Sequence, residues 1–271
     1  MAAPPPNQPS LSPDLYTEEY YRGSCEGFDE FNETGGGRLS RRLQDAVALA
    51  NVSNGMRVLD VGCGRGEILR HCARLGAITY GVDYAPTAVS MAGSCSAANN
   101  TTAKLVSLAD AKALPFAARH FDRVLLFDVA EHLYPWELHC ALLQANRVLS
   151  EDGLLIVHTA PNAWYDRYAY PFVRLFRILS REGEAYPANP RALNVAANLD
   201  VHVNEQSALS LWLALRRAGF KGRVWLQSPP QNRHESKVLA FLRRVFFSWP
   251  PFRWFFQREV FAIAWRAKEE Q

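Results

Sequence analysis

The residues best equipped for chemistry sit in L-L-F-D-V-A-E-H-L, residues 125–133, which place Asp128, Glu131 and His132 close together. On a nascent helical turn, positions i and i+3 or i+4 share a face, so the three side chains can converge on one point. Further on, D-V-H-V-N-E-Q-S (200–207) adds His202 just before a helix that Ser207 is suited to cap. Two chemistries suit this set. Histidine titrates near 6.5, so His132 or His202 can act as general base toward a hydroxyl. Alternatively Asp128, Glu131, His132 and His202 can hold a divalent metal that lowers the hydroxyl's pKa, the mixed donor set favouring manganese, iron or zinc. The plainest alternative is that Glu131 and His132 begin a helix, with Glu131 favoured by the N-terminal dipole.

A second group of residues is arranged for binding. V-L-D-V-G-C-G-R-G-E (58–67) reads as an apolar strand, an acidic residue, a G-x-G-x-G turn and a helix start. Glycines let the backbone turn sharply and let a ligand approach closely. Asp60 can hold an ammonium group. A following strand ends in G-V-D (81–83), where Asp83 can accept from both hydroxyls of a ribose. A third leads to A-D-A (109–111), where the Asp110 carboxylate can meet an adenine amine. A glycine loop alone would also fit a dinucleotide site; three carboxylates, each ending a successive strand, narrow the choice.

Positioning these groups requires an alternating frame. Strands are predicted over 57–61, 78–82, 104–108, 121–127 and 154–158, with helices over 38–51, 67–76, 86–98 and 135–149. Such alternation predicts βαβ units, a parallel sheet and right-handed crossovers that place helices on both faces. Gly76 is expected to end a helix, and Asp152 with Gly153 to turn the chain into the fifth strand. Residues 172–179 read as a short helix, 207–218 as another, and 223–227 and 259–265 as closing strands.

This series resembles the class I S-adenosylmethionine-dependent methyltransferases, in particular the type 11 group, closely over 56–158. The resemblance implies a Rossmann-like α/β fold with a seven-stranded mixed sheet and helices on both faces. It implies S-adenosyl-L-methionine as cofactor, with Asp60, Gly62 and Gly64 on the methionine side, Asp83 at the ribose, Asp110 and Ala111 at the adenine, and Tyr84 stacking nearby. Asp128 is placed at the cofactor's edge, and Glu131, His132 and His202 at the catalytic end. Tyr16, Tyr20 and Tyr21 are expected either to close over the cofactor or to pack on the sheet edge. The E-H-L run is similar to ubiquinone-biosynthesis O-methyltransferases. D-x-x-E-H followed by H-x-N-E also looks like the E-x-x-E-H plus H-x-F-E set of small-RNA 3′-terminal 2′-O-methyltransferases, which hold a divalent metal; here Asp128 and Asn204 depart from that pattern. The expected activity is O-methylation of a small metabolite, sugar or lipid-linked acceptor. The alternatives are a metal-dependent RNA 2′-O-methyltransferase and a cofactor-binding protein without turnover.

Composition bounds the rest. The chain has 271 residues, 48 % hydrophobic and 21 % charged, which suits one domain with insertions. A net charge of +3 and the lack of a dense basic stripe make nucleic acid an unfavoured partner. The odd number of cysteines, five, without a C-x-x-C pair, suggests reduced thiols and a cytoplasmic setting. Residues 1–15 read as a disordered, proline-rich leader, and residues 16–271 as the methyltransferase domain with insertions at about 160–206 and 228–257. In the first insertion Asn162, directly after strand five, is placed to contact substrate. In the second, residues 237–256 mix arginines with dense aromatics, which suits peripheral membrane contact, a dimer contact or a packed lid.

Overall fold

The computed structural model describes residues 9–97, 103–179, 181, 183–193, 197–228 and 249–267. Seven strands form one sheet in the order β3-β2-β1-β4-β5-β7-β6. They are β1 (Arg57–Val61), β2 (Ile78–Asp83), β3 (Ala103–Leu108), β4 (Phe121–Phe127), β5 (Leu149–Thr159), β6 (Phe220–Gln227) and β7 (Glu259–Arg266). The pairs among β1 to β5 are parallel, and β7 runs antiparallel between β5 and β6, so the sheet is mixed as expected. The chain order reverses between β1 and β4, which opens a crevice at the carboxyl ends of these strands.

The helices are α1 (Glu18–Gly23), α2 (Phe28–Thr34), α3 (Arg41–Ala50), α4 (Glu67–Arg74), α5 (Pro86–Ala97), α6 (Pro135–Val148), α7 (Tyr170–Leu179), α8 (Asn198–Val201), α9 (Ala208–Arg217) and α10 (Phe252–Phe256). Local signals explain their ends. Ser40 caps α3, its Oγ accepting from the Leu43 N–H, and Asn51 closes that helix at φ 44°. Pro135 opens α6, and the Glu137 carboxylate accepts from the Tyr134 N–H at 3.1 Å. Ser207 and Ser210 cap α9 reciprocally, at 3.0 and 2.8 Å; such a cap stabilises by about 1 kcal/mol. Two apolar layers sandwich the sheet. One gathers Leu59, Val124, Leu126, Leu142, Leu155 and Leu211; the other sets Leu43, Val47 and Ala50 of α3 against Val58, Leu125, Ile156 and Phe261.

Two expectations need correction. The expected leader ends too late: Pro13–Leu15 form a helical turn capped by Ser12, and the Trp136 indole donates to the Pro9 carbonyl at 3.2 Å. Proline there stiffens a strap that packs onto the domain from Pro9 onward. Asp152 and Gly153 do not precede β5 but lie within it. The β4–β5 register shifts between Phe121↔Leu149 and Arg123↔Leu154, so the loop-like residues form an irregularity in a longer strand. Finally, the aromatic stretch at 237–256 falls largely outside the described residues; only Trp249 to Phe256 of it belongs to them.

Candidate active site

The glycine bend follows β1 directly. Gly62 (φ +78°) and Gly64 (φ +50°) adopt a left-handed backbone, and a Cβ on Gly62 would collide with Val129. Gly66 serves packing instead: a Cβ there would lie 2.9 Å from Ala92 of α5. The bend forms the floor of a cavity of about 330 Å³ whose walls include Asp60, Asp83, Tyr84, Asp110, Ala111, Asp128 and His132. All the expected cofactor residues therefore face one crevice.

The three carboxylates are held differently. Asp60 is buried, its Oδ2 has no hydrogen-bond partner among the described residues, and burial, then the charges of Glu67 and Asp83, push its pKa up to about 8. A buried acceptor of this kind calls for a cation or donor from a ligand. Asp83 accepts from the Gly64 N–H at 3.0 Å and the Ala85 N–H at 2.9 Å, so its orientation is set by the bend itself. Burial raises its pKa, and those backbone bonds oppose the rise. Asp110 caps the next turn through the Lys112 N–H at 2.8 Å, and its other oxygen pairs with Lys112 Nζ at 2.9 Å. Lys112 also pairs with Glu137 at 2.7 Å and lies over the Trp136 ring. Strand-by-strand reading misses this lysine bridge because Glu137 and Trp136 lie on α6, some twenty-five positions away from Lys112.

Tyr16, Tyr20 and Tyr21 all line the cavity. They are anchored by Arg65, a residue of the bend whose guanidinium is buried. It donates to the Tyr21 carbonyl at 2.7 Å and to the Glu26 carbonyl, pairs with Glu67 at 2.5 Å, and sits 4.8 Å from the Phe31 ring centroid. The cofactor loop and the N-terminal helices are thus one unit.

At the end of β4 the chain turns through Asp128 at φ 52°. Asp128 does not join the other three catalytic candidates. Its Oδ1 lies 2.8 Å from Nδ1 of His158, which is fully buried on β5. Burial would raise the Asp128 pKa, but His158, then Arg42, hold it at about 2. Glu131, His132 and His202 do converge: each offers a ligand atom within 4.8 Å of the others. The two imidazoles meet edge to face at 4.9 Å. Glu131 accepts from the Thr159 hydroxyl at 2.7 Å, and burial, then the Asp128 charge, push it up to about 8. Burial holds His132 at about 3 and His202 at about 4, so both are neutral near pH 7. His132 Nδ1 lies 3.1 Å from the Val201 carbonyl and 3.2 Å from the Tyr16 hydroxyl. A carbonyl only accepts, so Nδ1 carries the proton and Nε2 keeps its lone pair.

A second cavity, about 290 Å³, adjoins this cluster and shares Tyr20, Cys25, Glu26, Asp128 and His132 with the first. Asn162 does not contribute to it: the side chain is fully buried and donates to the carbonyls of Trp254 and Gln257 at 2.9 and 2.8 Å. It pins the second insertion rather than meeting a substrate. Arg42 bridges Glu26, Asp128 and Glu259 at 3.3 to 3.9 Å, a network whose members lie too far apart in sequence to announce one another.

A doubly wound sheet with a glycine bend and acidic strand ends around one crevice defines an α/β protein with a ligand-sized cavity where the strand order reverses. Residues 59–157 match the type 11 methyltransferase family, described as a methyltransferase domain. The match covers little more than a third of the chain, and over it the chain is similar to methyltransferases of this family. It is 29 % identical over 148 residues to a ubiquinone biosynthesis O-methyltransferase of Bartonella tribocorum, covering 53 % of this chain and 58 % of that protein. It is 28 % identical over 183 residues to a demethylmenaquinone methyltransferase of Tropheryma whipplei, covering 66 % and 72 %. The chain thus spans little more than half the length of the first of these relatives. Among solved structures, a SAM-dependent methyltransferase from Methanosarcina mazei superimposes with a TM-score of 0.56 at 16 % identity, covering 82 % of this chain and 98 % of that one. The [4+2]-cyclase SpnF superimposes equally well, TM-score 0.56 at 18 % identity, covering 84 % and 80 %. These likenesses concern the fold.

Proposed function

We propose that this protein transfers a methyl group from S-adenosylmethionine to a hydroxyl of a small-molecule acceptor. The observation that carries this reading is the junction of two cavities at Asp128 and His132, one floored by the glycine bend and the other flanked by Glu131, His132 and His202. Asp60 would hold the ammonium, Asp83 the ribose hydroxyls, and Asp110 with Ala111 the adenine edge, with Tyr84 against the nucleoside. The bound sulfonium supplies an activated methyl group and departs as a neutral thioether. The chain's own task is to align the acceptor, exclude water and take one proton. His132 Nε2 is the group placed to take it, with His202 beside it and Glu131 behind. The four unpaired cysteines among the described side chains suit a cytoplasmic setting.

The convergence of Glu131, His132 and His202 also supports a metal-assisted variant, in which three side chains, rather than four, hold a divalent cation that acidifies the acceptor hydroxyl. Turnover abolished by a chelator and restored by manganese or zinc would select this variant; turnover indifferent to chelation would leave His132 as base.

The membrane contact expected of the second insertion is better carried by α7. Phe172, Leu175, Phe176 and Leu179 fall on one helical face and are 71, 56, 51 and 75 % exposed. Arg174 and Arg177 turn the other way, onto Tyr186, and Arg167 and Arg181 stand exposed at the two ends. An apolar face outward with flanking arginines suits an anionic lipid surface. No described helix is long and apolar enough to cross a membrane. Flotation with anionic vesicles should carry the protein upward, and Phe172→Ser with Phe176→Ser should abolish this; absence of flotation by the unaltered protein removes the contact.

The activity itself is tested by incubating the protein with S-adenosylmethionine and a panel of hydroxyl acceptors and measuring S-adenosylhomocysteine. Acceptor-dependent product is expected. Saturable cofactor binding without product on any acceptor would favour a binding protein.

A further inference from the structure

Among the described residues, one cation on the wall of the second cavity forms no ion pair, although the Asp166 carboxyl acts on it electrostatically. Of the three arginines on its wall, Arg42 is shared among three carboxylates, and Arg191 pairs with Glu205 through two contacts of 2.5 and 2.7 Å. Arg258 makes no side-chain hydrogen bond or ion pair with any described residue, and its buried Nε lacks an acceptor. Its guanidinium lies 5.1 Å from the Tyr165 ring centroid. Its backbone is clamped on both sides: its N–H donates to Ser228 Oγ at 3.1 Å, and its carbonyl accepts from the Asn162 N–H at 2.7 Å. Stacking and clamping restrict a planar guanidinium whose buried Nε–H has no acceptor among the described residues. Leaving this buried donor unsatisfied beside a cavity is costly unless a ligand supplies the acceptor. The carboxylates on the same wall do not fill this role: Glu26 and Asp128 face Arg42, Glu259 pairs with Arg41 and Arg42, and Glu131 is held by Thr159.

We infer that Arg258 is the specificity residue of the acceptor site, and that the acceptor carries an oxyanion, a carboxylate or phosphate, in addition to the hydroxyl presented to His132. This rests on the methyl-transfer reading above. It sets the acceptor apart from a neutral ring bearing hydroxyls alone, because a bidentate arginine contact distinguishes charged from uncharged partners strongly.

The test uses the full chain saturated with S-adenosylhomocysteine, titrated with sodium acetate or with inorganic phosphate at low ionic strength and followed by tryptophan fluorescence. Saturable binding of at least one anion is expected, weakened about tenfold or more in Arg258→Gln and partly restored in Arg258→Lys. The two anions distinguish a carboxylate from a phosphate partner. Turnover on matched acceptors, a hexose phosphate against the hexose and a uronic acid against its methyl ester, should show the charged member preferred through KM. Arg258→Gln should raise that KM about tenfold and leave kcat and S-adenosylhomocysteine affinity near the wild-type values. No saturation with either anion to about 50 mM, or identical titrations in wild type and Arg258→Gln, overturns the inference. Failure of the wild-type protein to bind S-adenosylhomocysteine at all would instead overturn the cofactor reading beneath it.

Discussion

The two ends of the crevice are built by opposite means. At the cofactor end, backbone N–H groups do most of the positioning: Gly64 and Ala85 hold Asp83, and the Lys112 N–H holds Asp110. At the acceptor end, side chains fix side chains: His158 engages Asp128, Thr159 engages Glu131, and Tyr16 approaches His132. A backbone-built site depends on a local run of sequence and tolerates change around it. A side-chain-built site depends on partners scattered from residue 16 to residue 202, and it can be retuned one residue at a time. The contrast fits a protein whose donor is fixed and whose acceptor is its own.

Substitutions at the acceptor end should give the largest losses, in turnover and not in cofactor affinity. His132→Gln is expected to lower kcat about 10²–10⁴-fold while the affinity for S-adenosylhomocysteine stays within about twofold. Normal turnover would remove His132 from proton transfer, and lost affinity would blur the division between the two ends. Next comes Asp83→Ala, which should weaken S-adenosylmethionine binding about 10- to 100-fold by calorimetry, since hydrogen bonds to a charged group contribute about 1.5–3 kcal/mol. Asp110→Ala should cost less, about three- to tenfold, because both carboxylate oxygens already serve Lys112. An Asp110 effect equal to that of Asp83 would mean that the lysine bridge yields to the ligand. Arg65→Ala tests whether the bend and the N-terminal helices act as one unit. Removing one partner of a buried ion pair is expected to cost about 3–5 kcal/mol, read as a lowered denaturant midpoint.

Legibility in the sequence follows the same division. Strands β1, β2 and β4 were readable to within a residue because buried parallel strands are short apolar runs bounded by turn residues. The carboxylates at their ends, and Gly62 and Gly64, were readable for the same reason: each is fixed by residues within a few positions. The first five residues of β5 are not legible as strand, since Ser150, Glu151, Asp152 and Gly153 carry turn chemistry and pair with neither β4 nor β7, while Leu149 and Leu154 on either side pair with β4. The anchoring role of Asn162 is not legible locally because its partners, the Trp254 and Gln257 carbonyls, lie more than ninety positions away. The grouping of His158 and Arg42 around Asp128 is not legible because no local spacing reveals a buried ion network. The outward apolar row of α7 was present in the sequence but hidden by direction: periodicity identifies an amphipathic helix, not which face the fold leaves uncovered.

Cofactor binding turns on whether Asp60 meets a cationic ligand in the crevice. Its pKa, raised to about 8 by burial, means the empty site holds a proton at pH 7 that an ammonium group should expel. The sign follows: the native carboxyl binds a proton that the unfolded chain releases between about pH 4 and pH 8, so it stabilises the empty protein less as pH rises through that window. Cofactor affinity, by contrast, should rise toward pH 8. Titration calorimetry of S-adenosylhomocysteine at pH 7, in two buffers of different ionisation enthalpy, measures this directly. Tight one-to-one binding with release of about one proton, lost in Asp60→Asn, is the predicted result. Absence of binding, or binding with no proton released and no change in Asp60→Asn, would contradict it.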